Sequence, residues 1–269
     1  MREAIIRTIS GLLYISILVV SILSSELIFI SLFYLLGLVC LIEMQKLLHL
    51  KSYALYVIQA LFFYLFSFLK FNQDATILLL ITTIFINLFL VKDLLVVRKI
   101  PVFEKKKYII IIFYLISSVI FLTLIPSIRT SDGFNQYLVI GVFFLIWTND
   151  TFAYIIGKNF GRNKLFERIS PNKTVEGFLG GVVFSLIASY FIYSLTESLS
   201  LPIWLGIALI LSVFGTLGDL IQSTFKRQAG VKDSGSLMPG HGGLFDRLDS
   251  IIFASPFVYA YLHILSYVS

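Results

Sequence analysis

The segment 223–249 concentrates charged residues and glycines in an otherwise apolar chain. It contains four basic residues, three aspartates, five glycines and one histidine, between two apolar runs. Lysine and arginine neutralise phosphate oxygens, carboxylates bind hard cations such as Mg²⁺, and glycines let backbone N–H groups approach an anion. The segment therefore predicts a phosphate and metal site at a membrane surface.

Asp219 extends this polar segment backward into an apolar run. It follows 21 uncharged residues. Ser223, Lys226 and Arg227 come four, seven and eight positions later, so on a continuing helix all four side chains share one face. A carboxylate, a hydroxyl and two cations on one face suit a Mg²⁺–phosphate complex, and a carboxylate at such depth is usually functional. The alternative is a helix end that emerges into water with an internal ion pair.

A glycine-rich loop leads from this stripe to the next apolar run. Gly242 and Gly243 allow close approach of the backbone to an anion, although no Walker A pattern is present. His241 has no partner histidine nearby, which disfavours zinc and favours a hydrogen bond to phosphate or to the loop backbone. Asp246 and Asp249 lie three positions apart, on one face of the following helix. Beside a triphosphate they would be metal ligands; alternatively, they complement the helix dipole.

A second polar cluster begins at Asp150, which again ends an apolar run and is predicted to be functional for the same reason. Further along, Ser170 is predicted to cap a helix that has Pro171 at its first position. The free N–H groups of that helix, together with Lys173 and Thr174, would suit an anion. The alternative at this position is an ordinary helix cap without a ligand.

The composition predicts an all-α, polytopic integral membrane protein. The 269 residues are 58% hydrophobic and only 13% charged, whereas a soluble domain is about 25% charged. Each charge-free run has 16 to 21 residues, close to the roughly 20 that a membrane-spanning helix needs. The nine predicted spans are 8–25, 27–42, 52–69, 75–91, 108–128, 133–149, 177–196, 198–218 and 250–269.

The chain is interpreted as a single transmembrane domain, 1–269. Residues 1–130 form helices without a recognised motif, and 131–269 form the catalytic half. The connector 92–107 is predicted to hold an interfacial helix.

The distribution of basic residues predicts the orientation of these spans. With a cytoplasmic N-terminus, 19 of the 21 lysines and arginines fall on the cytoplasmic side, and Lys70 and Arg129 remain on the other. Both polar clusters then face the cytoplasm, and we expect the chain in a bacterial inner (plasma) membrane. The net charge of +6 is explained by cationic loops beside anionic membrane lipid, so no nucleic-acid partner is predicted.

The polar segment resembles the signature of the phosphatidate cytidylyltransferases, also called CDP-diacylglycerol synthases. Two upstream blocks, Asp150-x-x-Ala-Tyr and Ser170-Pro-x-Lys-Thr-x-Glu-Gly, are similar to further blocks of that family. No position that defines the signature departs from it. The matching residues are Ser223, Lys226, Arg227, Lys232, Asp233, Gly235, Pro239, Gly240, His241, Gly242, Gly243, Asp246, Arg247 and Asp249.

The resemblance implies transfer of a cytidylyl group from CTP to phosphatidate, with Mg²⁺, giving CDP-diacylglycerol and pyrophosphate. It makes Asp219 and Asp246 the leading metal ligands, with Asp249 and Asp150 beside them. It also implies a monovalent cation such as K⁺ and a homodimer, neither of which is visible in the residues. The residues expected to act in catalysis are Asp219, Asp246, Lys226 and Arg227, of which Lys226 and Arg227 would hold phosphates. The other residues expected to bind substrate are Lys173, Ser170, Thr174, Ser223, Lys232, His241, Gly242, Gly243 and Arg247.

Three alternative functions differ from this interpretation in the residues that they require. A CDP-alcohol phosphotransferase would carry an Asp-Gly-x-x-Ala-Arg core, which is absent. A CTP-dependent polyprenol or lipid kinase would use a similar nucleotide site, but the complete loop pattern argues against it. A membrane transporter would place charges and broken helices near the membrane midplane, whereas here the charges collect at one surface.

Overall fold

The computed structural model describes residues 2–96, 106–128 and 133–268, and these are almost entirely helical. Short π-helical segments at Phe63–Phe68 and Ile111–Ser117, and a 3-10 turn at Ile125–Ser127, continue neighbouring α-helices. The α-helices in the described ranges are α1 (Arg2–Ser24), α2 (Glu26–Leu47), α3 (Ala54–Phe62), α4 (Gln73–Val96), α5 (Lys107–Ile110), α6 (Ser118–Leu124), α7 (Gln136–Phe160), α8 (Val175–Thr196), α9 (Leu201–Gln228) and α10 (Phe245–Val268).

Eight helical segments of the described chain are long and apolar enough to cross a membrane. They coincide with eight of the nine predicted spans. The span predicted at 52–69 is a shorter apolar helix, Ala54–Phe68. Helices dominate because lipid offers the backbone no hydrogen-bond partners, so each segment must satisfy its own N–H and C=O groups. The prediction of an all-α polytopic membrane protein is confirmed.

The segment Lys107–Ser127 forms the centre of the helix bundle and is the most buried of the long segments. Its Tyr114 is fully buried, and the tyrosine ring meets Phe225 of α9 and Phe245 and Phe253 of α10 edge-on or tilted. Aromatic pairs of this geometry stabilise beyond the area they bury. The packing fixes the end of α9 against the start of α10, where the predicted functional residues lie.

Close backbone contact between α9 and α10 depends on Gly218. A Cβ atom added there would lie 2.5 Å from the Cβ of Phe253 and 3.0 Å from the backbone oxygen of Asp249. Small residues at such crossings are how membrane helices bring their backbones together. The contact places Asp219, the next residue of α9, beside the turn of α10 that carries Asp249.

Gly218→Ala is therefore expected to destabilise the protein by about 1–3 kcal/mol, the usual cost of forcing an extra group into a packed core. A lowered thermal unfolding midpoint in detergent would show this. The matched control is Gly215→Ala, one turn earlier on α9, where the nearest contact is the flexible end of Ile146 at 3.1 Å. Equal midpoints for the two variants would contradict the proposed close crossing.

The predicted alternation of spans agrees with contacts at both ends of the bundle. At one end, Glu26 at the start of α2 pairs with Lys70 and accepts a hydrogen bond from Ser127. At the other end, Ser10 of α1 lies 2.9 Å from His241 in the loop before α10. The chain thus returns to the same two surfaces repeatedly, as successive crossings require.

One predicted helix start was wrong. Residues Ser170–Thr174 form a strand, β2, that pairs antiparallel with β1, Lys164–Phe166. Ser170 is therefore not a helix cap: α8 begins at Val175, and the Thr174 hydroxyl accepts the N–H of Gly177 at 3.1 Å. A residue before proline prefers an extended conformation, and proline is tolerated at sheet edges, so Ser170-Pro171 suits the hairpin.

The interfacial helix predicted within 92–107 cannot be compared over most of its length, because 97–105 lie outside the described residues. Within that connector, α4 continues to Val96 and α5 begins at Lys107. Arg129 also lies outside the described ranges.

Candidate active site

The far end of α9 carries the predicted polar stripe on a continuous helix. The Ser223 hydroxyl donates to Asp219 Oδ1 at 3.1 Å, and both Ser223 and Lys226 are 8% exposed. Asp219 is followed by nine more helical residues, because α9 runs to Gln228. The predicted continuation of the helix past Asp219 is therefore correct.

Lys173 joins the second polar cluster to the first. It lies on β2, and its ammonium group forms an ion pair with Asp219 Oδ2 at 2.5 Å. Burial tends to lower the pKa of Lys173, but the adjacent Asp219, with a smaller contribution from Asp150, outweighs it and raises the pKa above the ordinary value. Lys173 therefore stays protonated at neutral pH and supplies a fixed positive charge.

Asp246 organises the loop between α9 and α10. Its Oδ1 accepts Lys226 Nζ at 2.8 Å and Gln222 Nε2 at 3.2 Å. Its Oδ2 accepts the N–H of Ser234 at 2.8 Å and the N–H of Gly243 at 2.9 Å, and lies 3.1 Å from the Ser234 hydroxyl oxygen. The Lys226–Asp246 pair is well buried, with side chains 10% and 6% exposed. Both oxygens of Asp246 are thus engaged by protein donors.

Asp249 lies one turn further along α10 and is 7% exposed. Its Oδ1 accepts the N–H of Ser250 at 2.8 Å, and it lies in the electrostatic field of Asp219 and Asp150. Asp150 accepts a 3.4 Å hydrogen bond from Asn149. Asp150, Asp219 and Asp249 therefore interact electrostatically and make up the acidic region of the site. Across the described part of the chain, no three His, Cys, Asp or Glu side chains converge in a metal-binding arrangement.

A cavity of about 680 Å³ opens beside this acidic region, between α7, the β-hairpin and α9. Residues of α7 line it, including Asp150, Ala153 and Gly157. Its chemistry is mixed, because lysines and hydroxyls share the wall with Tyr154 and Phe178. Such a wall suits a ligand that has both a phosphate and an apolar part. The charged or hydroxylated lining residues include Asp150, Lys158, Lys164, Ser170, Lys173, Thr174 and Asp219.

A second cavity, of about 550 Å³, is lined by the glycine-rich loop together with Arg7 of α1 and Arg247 of α10. Here Arg247 donates to the backbone oxygen of His241 at 2.7 Å, and Arg7 of α1 approaches Gly240. Burial, then the charges of Arg247 and Arg7, lower the pKa of His241, so its ring is neutral at pH 7. The predicted residues lining this cavity are Lys232, His241, Gly242 and Arg247. Seven of the predicted substrate-binding residues are thus divided between two cavities, whereas Ser223, Lys226, Arg227 and Gly243 line neither of them.

Two of the predicted substrate-binding residues, Arg227 and Gly243, contact other parts of the protein and line neither cavity. Arg227 donates to the backbone oxygens of Ile169 and Val231, at 3.4 and 3.3 Å, and so ties the end of α9 to the hairpin and to the loop. Gly243 packs against Ser234 and Glu43, where a side chain would overlap.

Glu43 is the functional candidate that sequence reasoning missed. It lies on α2, is 4% exposed, and accepts hydrogen bonds from the loop before α10. A signal was present, because Glu43 directly follows the uncharged run 27–42, as Asp219 and Asp150 follow theirs. It lay in the half of the chain without a recognised motif, and nothing in the sequence points to its partners 190 or more residues away.

Comparison with known proteins identifies the family of the chain. Residues 5–265 match the model of the cytidylyltransferase family. A phosphatidate cytidylyltransferase of Bacillus subtilis is 46% identical over 142 residues, which is 52% of each chain. A phosphatidate cytidylyltransferase of Staphylococcus aureus (strain COL) is 50% identical over 127 residues, or 47% of this chain and 48% of that protein. The chain spans about half the length of the curated relatives it matches.

Proposed function

The chain belongs to the cytidylyltransferase family, and we propose that it transfers the cytidylyl group of CTP to phosphatidate, giving CDP-diacylglycerol and pyrophosphate. The observation that carries the proposal is the Lys173–Asp219 ion pair, which joins both polar clusters at a cavity with charged and apolar walls. This is the environment required by a reaction between a nucleotide and a lipid phosphate.

In the proposed reaction, a phosphate oxygen of phosphatidate attacks the α-phosphorus of CTP. A P–O bond forms there, the bond between the α-phosphorus and its bridging oxygen breaks, and pyrophosphate leaves with the electron pair. The nucleophile is already ionised at neutral pH, so no strong general base is needed. The protein must instead hold two anions together, and charge neutralisation and positioning supply most of the rate enhancement in such transfers.

Lys173 is the first residue that we assign to this task. Its charge is permanent at neutral pH, and it lies on the wall of the larger cavity beside Asp219. Lys158 and Lys164 line the same wall and add positive charge. Lys226, buried against Asp246, provides a further cation behind the acidic region. We propose that Lys173 contacts phosphate directly and that Lys226 keeps Asp246 and the loop in place.

The acidic residues fit a hard divalent cation. Asp249 is buried and lies in the electrostatic field of Asp219 and Asp150, and a buried carboxylate stays ionised only with a compensating cation or hydrogen-bond donors. Mg²⁺ commonly takes one or two protein carboxylates and completes its shell with water and substrate phosphates. When bound, it would neutralise charge on the reacting phosphates. We propose Asp219 and Asp249 as its ligands, with Asp150 nearby.

Asp246 stays a predicted ligand from the family resemblance. Its four protein donors favour a different role, that of holding the loop. A bound K⁺ and a homodimer also stay predictions.

We propose that the site faces the cytoplasm, where CTP is present. The support is the positive-inside count, which assigns 19 of 21 basic residues to the side that carries both polar clusters.

The test is a label-transfer assay with purified protein in detergent. With phosphatidate and Mg²⁺, [α-³²P]CTP is expected to give a labelled organic-soluble lipid, whereas [γ-³²P]CTP should label only pyrophosphate in the aqueous phase. Omitting phosphatidate, or replacing it with diacylglycerol, should abolish the lipid label. A lipid kinase would show the reverse isotope pattern. No labelled lipid with either isotope would overturn the proposed function.

A further inference from the structure

Glu43 is a buried acid at the cytoplasm-proximal end of α2 that does not touch the larger cavity. It is 4% exposed, and no lysine or arginine forms an ion pair with it among the residues that the structure describes. Buried carboxylates without a cationic partner are expensive unless several donors satisfy them. The identity of those donors therefore indicates what Glu43 does.

All the hydrogen bonds to Glu43 come from the loop before α10 and from the first residues of that helix. Its Oε1 accepts the N–H of Leu244 at 3.0 Å. Its Oε2 accepts the N–H of Phe245 at 2.9 Å and the hydroxyl of Ser234 at 2.7 Å. The carboxylate thus satisfies N–H groups at the start of α10 that have no partner within the helix, where a negative charge also complements the helix dipole.

Ser234 connects Glu43 to the active site. Its hydroxyl lies between Glu43 Oε2 and Asp246 Oδ2, at 2.7 and 3.1 Å. The backbone N–H of Ser234 donates to the same Asp246 oxygen at 2.8 Å. Ser234 therefore links Glu43 to Asp246, and Asp246 in turn accepts a hydrogen bond from Lys226 at 2.8 Å.

Two glycines of the loop are explained by the same carboxylate. A Cβ atom on Gly235 would overlap Glu43 Oε1, and one on Gly243 would lie 2.5 Å from Glu43 Oε2 and overlap the Ser234 hydroxyl. The loop backbone thus closes directly around the carboxylate. The contact is specific in shape as well as in charge.

We propose that Glu43 is a positioning residue for the active site: it fixes the loop 234–245 and, through Ser234, the orientation of Asp246 and Lys226. This inference rests on the proposed function, because it concerns the rate of that reaction. Glu43 itself contacts neither the substrates nor the reacting atoms.

Glu43→Gln is the sharpest test, since it preserves size and removes one acceptor. A single amide oxygen cannot replace both Oε1 and Oε2, so an NH₂ group must face a backbone N–H or the Ser234 hydroxyl. We expect kcat for lipid cytidylylation to fall about 10- to 100-fold, the size of effect that small misplacements of catalytic groups produce. The KM for CTP should change less than kcat.

Loop order provides a readout that does not depend on activity. Hydrogen–deuterium exchange of peptides covering 234–245 is expected to be faster in Glu43→Gln, because the N–H groups of Leu244 and Phe245 lose acceptors. Peptides from α4 should exchange as in the parent protein. This measurement is informative even if the parent protein transfers no cytidylyl group.

The matched control is Glu26→Gln, the same substitution at the opposite end of α2. Glu26 is 32% exposed and pairs with Lys70 on the surface. Glu26→Gln should leave both kcat and the exchange of 234–245 unchanged. Rates are compared per amount of monodisperse protein, so that loss of folded material is not counted as loss of catalysis.

A double-mutant cycle separates positioning from general destabilisation. Ser234→Ala should also lower kcat, and the Glu43→Gln/Ser234→Ala double variant should be little worse than the poorer single variant, since both break the same connection. Independent effects that multiply would contradict the connection through Ser234.

The outcomes distinguish this inference from the proposed function. An inactive parent protein overturns the proposed function, and the exchange data then decide whether Glu43 orders the loop. An active parent with unchanged kcat and unchanged exchange in Glu43→Gln overturns the positioning role alone. Faster exchange with unchanged kcat also overturns it, because loop order would not govern the rate.

Discussion

Replacing Asp219 with asparagine is expected to lower the rate of lipid cytidylylation by at least about 100-fold, the usual cost of removing one strong electrostatic contact from a reaction centre. The amide keeps the size of the side chain and removes its charge. The proposed cation then loses a ligand, and Lys173 loses the partner that raises its pKa. Folding should survive, because this ion pair is about one-third exposed and such pairs contribute only about 1 kcal/mol.

The measurement is the initial rate of transfer of label from [α-³²P]CTP to lipid over a range of Mg²⁺ concentrations. Asp74→Asn is the control, because it makes the same chemical change away from the site. Asp74 is exposed in the first turn of α4. We expect this control to match the parent protein. A rate for Asp219→Asn within threefold of the parent would remove Asp219 from the reaction centre.

The second large effect is expected on stability. Lys226→Met keeps an unbranched side chain but leaves the charge of Asp246 buried without its cation. Breaking a buried ion pair by removing one partner typically costs about 3–5 kcal/mol. The remaining donors to Asp246, from Gln222, Ser234 and Gly243, favour the lower end of that range. Unfolding in detergent, followed by circular dichroism, should show a clear loss of stability.

The control for Lys226→Met is Lys70→Met, which breaks an ion pair of the same 2.8 Å length. The Lys70 and Glu26 side chains are 46% and 32% exposed, so solvent already weakens their attraction. Their loss should cost less than about 1 kcal/mol. Equal destabilisation by both variants would mean that the Lys226–Asp246 pair is not the buried contact described above.

Most of the membrane architecture could be predicted because its physical cause is local. A run of about 20 uncharged apolar residues must form a helix in lipid, whatever its neighbours are. The stripe from Asp219 to Lys226 could be predicted for a similar reason, since helical spacing places those side chains on one face. The contact between Lys173 and Asp219 could be predicted only in part: both polar clusters were assigned to the same membrane surface, but no pair of residues could be named.

The parts that could not be predicted depend on distant contacts. The hairpin that carries Lys173 is held by Glu176, which accepts the N–H groups of Arg162 and Asn163. Local sequence preferences alone led to the wrong prediction that Ser170 caps a helix. The predicted residues line two different cavities, only one of which includes residues of the glycine-rich loop, and spacing along the chain contains no information on that. The contacts of Glu43 could not be predicted for the same reason, because its hydrogen-bond partners are 191 to 202 positions away in the chain.

The connection between Glu43 and Ser234 has a consequence for biogenesis, because these residues are 191 positions apart. At about 5–20 residues per second, a ribosome needs roughly 10–40 s to deliver Ser234 after Glu43. During that interval the α2 carboxylate has none of its final donors and must remain hydrated near the membrane surface. Arrival of α10 then removes it from water and completes the loop in a single event. Because α10 carries Asp246 and Asp249, the proposed reaction centre is complete only after α10 has been synthesised, and a chain that ends before α10 is expected to transfer no label from CTP to lipid.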